Sequence, residues 1–262
     1  MKEKIISAVL FGMGTSIAVP LINVDVNIGL INHQPSGYVE YPADSGNKLD
    51  LKDRLGIKGS TKPMARAKAE VAVIGVYAQY MPMAFRGDKT TTTTLTYGGT
   101  TFDANQTIKS DLKLDRYDVA LYLNVPFVGF VTGGVLDLEV GLNGRFMNYE
   151  GSVTGKVTAG SITAEQTESA KGSLFIPMLY GGASINLGKV SVHAEVRGIK
   201  YKNSTYYDLT GELRISPFSL PGFAKFYAGL GYRTERVFLK EEFDTNADIQ
   251  INSPFVNVGV SF

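Results

Sequence analysis

Apolar and polar residues alternate along most of this chain. The pattern is plainest over residues 252–262, where Val256, Val258, Val260 and Phe262 alternate with Asn257, Gly259 and Ser261. A period of two marks a strand with one apolar and one polar face. Read the same way, the chain predicts strands over about 21–31, 64–71, 76–85, 110–125, 135–149, 173–187, 190–201, 206–215, 223–239 and 248–262. The first sets Val24, Val26, Ile28 and Leu30 against Asn23, Asp25 and Asn27; the fifth sets Leu136, Leu138, Val140 and Leu142 against Asp137, Glu139 and Asn143. The third alternates weakly, because Met81, Met83 and Phe85 share a face with Gln79. Polar stretches over 33–63, 86–109 and 150–171 predict long loops, the first holding a segment over 49–55 that reads equally as a short helix or a strand extension. Short connections are predicted at 72–75, 126–134, Gly188-Lys189, 202–205, 216–222 and 244–247.

Ten strands is an even count, with eight or twelve as the alternatives. Strands of ten or more residues exceed the globular mode of about 5–6 and match the ~9–11 residues that a tilted strand needs to cross a bilayer. Long connections on one side and short turns on the other is the pattern of a membrane barrel. The predicted fold is therefore all-β: a closed antiparallel up-and-down transmembrane β-barrel of about ten strands, in which the last strand pairs with the first to remove both edges.

Whole charges gather on one face of each strand. They are Arg66, Lys68 and Glu70; Asp118; Asp137, Glu139 and Arg145; His193, Glu195 and Arg197; Asp208, Glu212 and Arg214; Arg233 and Glu235; Asp25 and Arg116 join them. In a soluble sandwich that face is outside, whereas in a membrane barrel lipid takes the place of the core and the charged face turns into the lumen. Aromatics near strand ends (Tyr149, Phe175, Tyr201, Phe218, Phe223, Phe262) fit an interfacial girdle. Val256, Val258 and Val260 are then expected to face lipid beside Val24, Val26 and Ile28. A ten-stranded barrel is only slightly wider than one that side chains just fill, so near-balanced lumen charges predict a plug of salt bridges.

Composition adds exclusions. The 262 residues fit a single domain, and 26 basic against 25 acidic residues give no argument for nucleic acid. Without cysteine there is neither a disulfide framework nor a Cys-ligated metal site, and two histidines, His33 and His193, leave little for His-based catalysis. Lys2 and Lys4, the apolar run over 5–13 and Ser16-Ile17-Ala18 read as a signal peptide over 1–18, leaving 19–262 as the barrel.

A terminal strand on which Phe262 is the last residue resembles the C-terminal signal of bacterial outer-membrane β-barrels, with Val258, Val260 and Phe262 as its core; the resemblance implies the barrel-assembly machinery as a partner. D-V-A-L-Y-L at 118–123, V-G-L-N-G-R-F at 140–146, I-P-M-L-Y-G at 176–181, G-L-G-Y-R at 229–233 and the final G-V-S-F, in that order, resemble a family of small, uncharacterised Gram-negative outer-membrane β-barrel proteins. That resemblance implies location in the outer membrane and contact with its lipid, and supplies no activity.

The expected role is structural or interaction-related, without enzymatic activity, cofactor or metal, for a monomer with a side-chain-filled polar lumen. The alternative is a narrow channel or transporter for small solutes. A remote one is an omptin-like protease, a family of ten-stranded barrels that uses paired aspartates and a His–Asp pair at the extracellular mouth. Here His193 lies four residues after the turn at Lys189, at the periplasmic end, and no local motif pairs His33 with Asp44, Asp50, Asp53, Asp103 or Asp111.

Overall fold

The fold is known from a computed structural model, which describes residues 22–262 apart from 42, 44, 45, 47, 98, 99, 160, 221, 222, 243 and 244. The expected signal peptide over 1–18 lies outside the described residues. The wall is built from β1 (Ile22–Glu40), β3 (Ser60–Val71), β4 (Ile74–Tyr80) with β5 (Met83–Thr91), β8 (Gln106–Asn124), β9 (Leu136–Ala159), β10 (Ile162–Leu187), β11 (Val190–Tyr201), β12 (Ser204–Leu220), β13 (Ala224–Glu242) and β14 (Thr245–Ser261). Each neighbour is antiparallel to the last, and β14 returns to pair with β1, so the sheet closes as a ten-stranded barrel. At the seam Val26 lies opposite Val260, Ile28 opposite Val258 and Leu30 opposite Val256.

β4 and β5 form one wall strand with a break at Met81-Pro82. Met81 still donates its N–H to the carbonyl of Arg116 at 3.0 Å; Pro82 has no N–H to give, and the ladder stops there. This break explains the weak alternation of the third strand. Gln79, Met81, Met83 and Phe85 all point inward and are buried, so the interior is polar in its lower part and apolar higher up.

Several predicted boundaries are corrected. Strands run into the stretches 33–63 and 86–109 expected as loops, β1 to Glu40 and β5 to Thr91, with β3 starting at Ser60 and β8 at Gln106. The stretch 150–171 is not a loop: β9 and β10 run through it as a hairpin that stands above the rest of the wall. Its Ser, Thr and Gly residues form a ladder, with Thr154 paired to Thr167 at 2.8 Å and Thr158 to Thr163 at 3.0 Å. The connection at 216–222 is shorter than expected, because β12 continues to Leu220 past a bulge between Ile215 and Phe218. The connection at 126–134 holds a one-turn helix, α1 (Pro126–Val131), with Pro126 at its start, where a missing N–H costs nothing. The segment over 49–55 is neither the helix nor the strand extension expected: a separate short strand, β2 (Lys48–Asp50), pairs with β1, and residues 51–55 form a turn. The remaining short strands, β6 (Leu95–Tyr97) and β7 (Thr100–Phe102), form a small hairpin between β5 and β8.

The outer surface carries the apolar belt. Ile28, Leu30, Leu121, Leu142, Leu179, Leu230, Val256 and Val258 are all exposed. Phe146 and Phe175 pair at a tilt toward one rim, while Phe218 and Phe226 pair toward the other, where Phe127, Phe130 and Phe223 are also exposed. Tyr149 departs from the predicted girdle. It lies over Gly172 on the next strand, on the inward side of the tall hairpin. The same device recurs in the lumen: the rings of Tyr122, Phe255 and Tyr227 cover Gly75, Gly231 and Gly259 directly opposite them. A Cβ at Gly231 would sit 2.1 Å from the Phe255 ring, so these glycines are positions where an aromatic lies flat on its neighbour.

Candidate functional site: the charged interior

Alternation sends one residue in two into the lumen, and where those residues are charged they must find each other there. From the periplasmic end upward they do so in tiers.

The lowest tier opens to the periplasm as a cavity of about 220 Å³. Arg214 holds Asp25 at 3.1 Å and Glu212 at 2.8 Å, and Tyr227 donates to Asp25 at 2.8 Å. Lys68 holds Glu139 at 2.8 Å and Glu195 at 3.3 Å. Glu70 accepts from the Tyr122 hydroxyl at 2.8 Å, and Asp137 from Asn186 at 3.0 Å. His193 pairs with the Ser191 hydroxyl at 2.9 Å.

The next tier is sealed. Arg66 donates to Glu212 and lies 3.8 Å from Glu195; Arg197 reaches Glu195 at 2.8 Å and Asp208 at 3.3 Å. Three tyrosines, Tyr77, Tyr122 and Tyr180, surround the Lys68 ammonium at 5.6, 5.3 and 5.8 Å, and the Arg197 guanidinium lies 4.6 Å from the Tyr77 ring. Ring faces are negative, so this aromatic cluster adds cation–π attraction at the inner end of the cavity.

Above it four guanidinium groups meet three carboxylates. Arg145 grips Asp118 with two bonds, at 2.7 and 3.1 Å, and Asp208 with a third at 2.5 Å. Arg233 holds Asp208 at 2.8 Å and donates to Gln79 at 3.0 Å. Arg116 and the Tyr206 hydroxyl both donate to Glu235. The side chains of Arg116, Arg145 and Arg197 are 0% exposed and that of Arg233 2%. Forked Arg–carboxylate geometry is what makes such burial tolerable.

An apolar ring of Ile31, Met64, Met81 and Phe255 closes over this layer. His33 sits just beyond, buried, bonded to the Ser253 hydroxyl at 2.9 Å and edge-on to Phe85. The extracellular end is stoppered by a second apolar cluster that includes Leu49, Leu55, Ile57, Phe85, Leu95 and Phe102. Most of its side chains come from connections that look polar in sequence.

Each residue predicted for the lumen therefore has a place: Arg66, Lys68, Glu70, Asp137, Glu139, His193, Glu195, Glu212 and Arg214 in the two lower tiers, and Asp118, Arg145, Asp208, Arg233 and Glu235 in the upper one, with Arg197 spanning both. Sequence reasoning did not give roles to Tyr77, Tyr206, Tyr227 and Gln79. Their signal was parity, because each shares its strand face with charged or polar residues that point inward. Neither histidine joins a catalytic pair with an acid: the hydrogen bond of each goes to a serine hydroxyl. No group of acidic and histidine side chains suited to a metal ion occurs among the described residues.

A closed barrel with an apolar belt outside and a charge-filled lumen defines the class: an outer-membrane β-barrel of the Gram-negative envelope. Among solved structures the chain is similar to the outer-membrane protease OmpT from Escherichia coli, at 11% identity, with 92% of this chain and 96% of that one covered and a TM-score of 0.52. It also aligns with Ail, the attachment invasion locus protein of Yersinia pestis, in complex with the heparin analogue sucrose octasulfate, at 11% identity and a TM-score of 0.35, over 92% and 99% of the two chains. At 11% identity the likeness to OmpT concerns the fold alone. No family model and no curated protein matches the sequence.

Proposed function

We propose that this protein is a non-conducting, non-enzymatic outer-membrane barrel whose work is done by its extracellular surface. One observation carries the reading: Arg116, Arg145, Arg197 and Arg233 fill the lumen's waist with their carboxylates, and the apolar stopper lies above them. Two barriers of opposite chemistry in series leave a solute nothing to follow. Against a hydrolase stand His33, buried beneath the stopper, and His193, at the periplasmic end.

The same reading makes the protein a monomer in contact with outer-membrane lipid, with β14 as the strand presented to the barrel-assembly machinery. Supporting this, Val258 and Phe262 stand exposed on its outer face. Planar-bilayer recording of the refolded protein tests the closed lumen. Silence is expected; steady conductance that changes in Arg145→Ala would overturn it and favour a narrow channel.

A further inference from the structure

β10 is much longer than the strand beside it. On one side it pairs with β9 from Ile162 to Ile185. On the other it pairs with β11 only from Leu179 to Leu187, because the β11–β12 hairpin turns back low, between Tyr201 and Ser204. From Ile162 to Met178 the second edge of β10 has no strand partner among the described residues. At about 3.3 Å per residue this is a bare edge of roughly 55 Å.

The direction of the free amides can be assigned. Asn186 donates its N–H toward β9, to the carbonyl of Val135 at 2.7 Å. Even-numbered residues of β10 therefore bond to β9 and odd-numbered ones face the opening. Pro177 agrees, since proline is tolerated in a strand where its missing N–H faces no partner. The amides of Thr163, Glu165, Thr167, Ser169, Lys171 and Ser173 thus point into the gap.

The far edge of the hairpin is treated differently. There Asp103 and Gln106 cover β9, donating to the Lys156 carbonyl at 3.0 and 2.6 Å, and Asp103 accepts from Thr158 at 2.6 Å. One edge of the hairpin is stapled shut and the other is open.

The side chains along the open edge say what would pair with it. Its outer face continues the threonine ladder, which steps from Thr154 to Thr167 and from Thr158 to Thr163 and then stops. Its inner face carries Ala164, Ala170, Leu174 and Ile176, interrupted by Gln166 and Glu168, which bond to each other and to Thr100. Of its charges, Glu165 has Lys109 at 3.7 Å and Glu168 accepts from Thr100 at 2.7 Å, while Lys171 lies opposite Glu150, which pairs with Lys113 at 3.6 Å. At the foot of the edge, where the wall splits, Pro177, Leu179, Gly198, Ile199 and Tyr207 line an apolar recess of about 660 Å³.

We propose that the free edge of β10, from Ile162 to Ile176, docks an extended segment of another polypeptide, which adds to the sheet as an antiparallel strand. The segment carries Ser or Thr on the face that continues the ladder and small apolar residues on the other, with an apolar residue at its end in the recess. Main-chain hydrogen bonds supply the affinity, and the alternating side chains supply the selection. Lys171 and Glu165 are the kind of charges that blunt edges, but they take only two of the outward positions, and Glu165 already pairs with Lys109 at 3.7 Å. The inference specifies the surface that the proposed function relies on. It stands apart from the closed lumen: conductance would overturn that reading without touching this one.

The test uses the full chain refolded into phospholipid nanodiscs. Its probe is a fluorescein-labelled ten-residue peptide that alternates Thr with Ala and Val and carries two terminal lysines. Saturable anisotropy is expected, with amide exchange slowed about tenfold at the odd positions from Thr163 to Ser173. Ser169→Pro with Ser173→Pro removes free amides without touching the β9 ladder and should weaken binding at least about tenfold; the matching alanine pair should not. Equal binding by the proline pair, or unchanged exchange at the edge with peptide in excess, overturns the proposal. Should the proline pair fail to show the heat-shifted gel band of a folded barrel, exchange in the unsubstituted chain decides alone.

Discussion

Arg145, on β9, reaches across the lumen to Asp208 on β12 at 2.5 Å while holding its neighbour Asp118, on β8, with two further bonds. One side chain thus ties three strands together in the fully buried layer of the lumen. Removing it breaks the closest ion pairs of two buried carboxylates, leaving Asp118 with Asn143 at 3.0 Å and Arg116 at 3.6 Å, and Asp208 with Arg197 and Arg233. Arg145→Ala is expected to cost about 3–5 kcal/mol, the range for breaking a buried pair from one side. The urea midpoint for loss of the folded gel band in lipid bilayers measures it. A midpoint within error of the parent would show that the layer contributes nothing to stability.

Tyr206→Phe makes a smaller cut. It deletes one donor to Glu235 but leaves Arg116 in place. The expected cost is about 1.5–3 kcal/mol, that of a lost hydrogen bond to a charged group. The ordering of the two substitutions, more than either value, tests whether the guanidinium groups dominate.

Gly231 admits no side chain while Phe255 lies over it. Gly231→Val must push the ring toward Ile31 and Met81, its partners in the apolar ring. Overpacking of this kind costs about 1–3 kcal/mol. Combining it with Phe255→Ala should recover part of the loss, and a double-mutant cycle reads that coupling directly.

Above the belt, Arg236 and Asp248 form a forked pair on the outer surface, both bonds at 2.9 Å. The guanidinium holds the Asp248 carboxyl below its usual 3.8. A depressed carboxyl favours the folded barrel above pH 3.8, and that contribution is lost as pH falls through the lower, folded value. In NMR titration Arg236→Gln should return Asp248 toward 3.8. Salt should move the parent value the same way, because exposed pairs are screened.

Phe262 and Val24 exchange backbone bonds at the seam, at 2.8 and 3.4 Å. If β14 is the strand read by the assembly machinery, Phe262→Ala should lower the folded fraction in outer-membrane preparations several-fold while leaving the urea midpoint of the refolded protein nearly unchanged. A matching drop in the midpoint would reduce Phe262 to a stability residue.

The wall was legible in sequence wherever lipid lies on one side and charge on the other. β11 was predicted residue for residue, and the lumen residues from Arg66 to Glu235 all sit on the inward parity of their strands. Legibility fails where that contrast fades. The tall β9–β10 hairpin has water on its outer face, so its residues are Ser, Thr and Gly and read as a loop. The β4–β5 strand turns Met81, Met83 and Phe85 inward beneath the stopper, so both faces are apolar there. The stopper itself draws Leu49, Leu55, Ile57, Leu95 and Phe102 from stretches dominated by polar neighbours, and only tertiary contact gathers them. Which charges pair was not readable at all, since partners across a lumen share no local spacing.

That last point bears on how the protein forms. Arg66 and Glu212 are 146 positions apart, and Arg214 and Asp25 are 189. Contacts of such separation wait for the chain to come full circle. Until then the same side chains are hydrated and keep the unfolded polypeptide soluble on its way to the membrane. Closure dries them and turns them into cross-links, so the step that buries the charge is also the step that makes the barrel rigid.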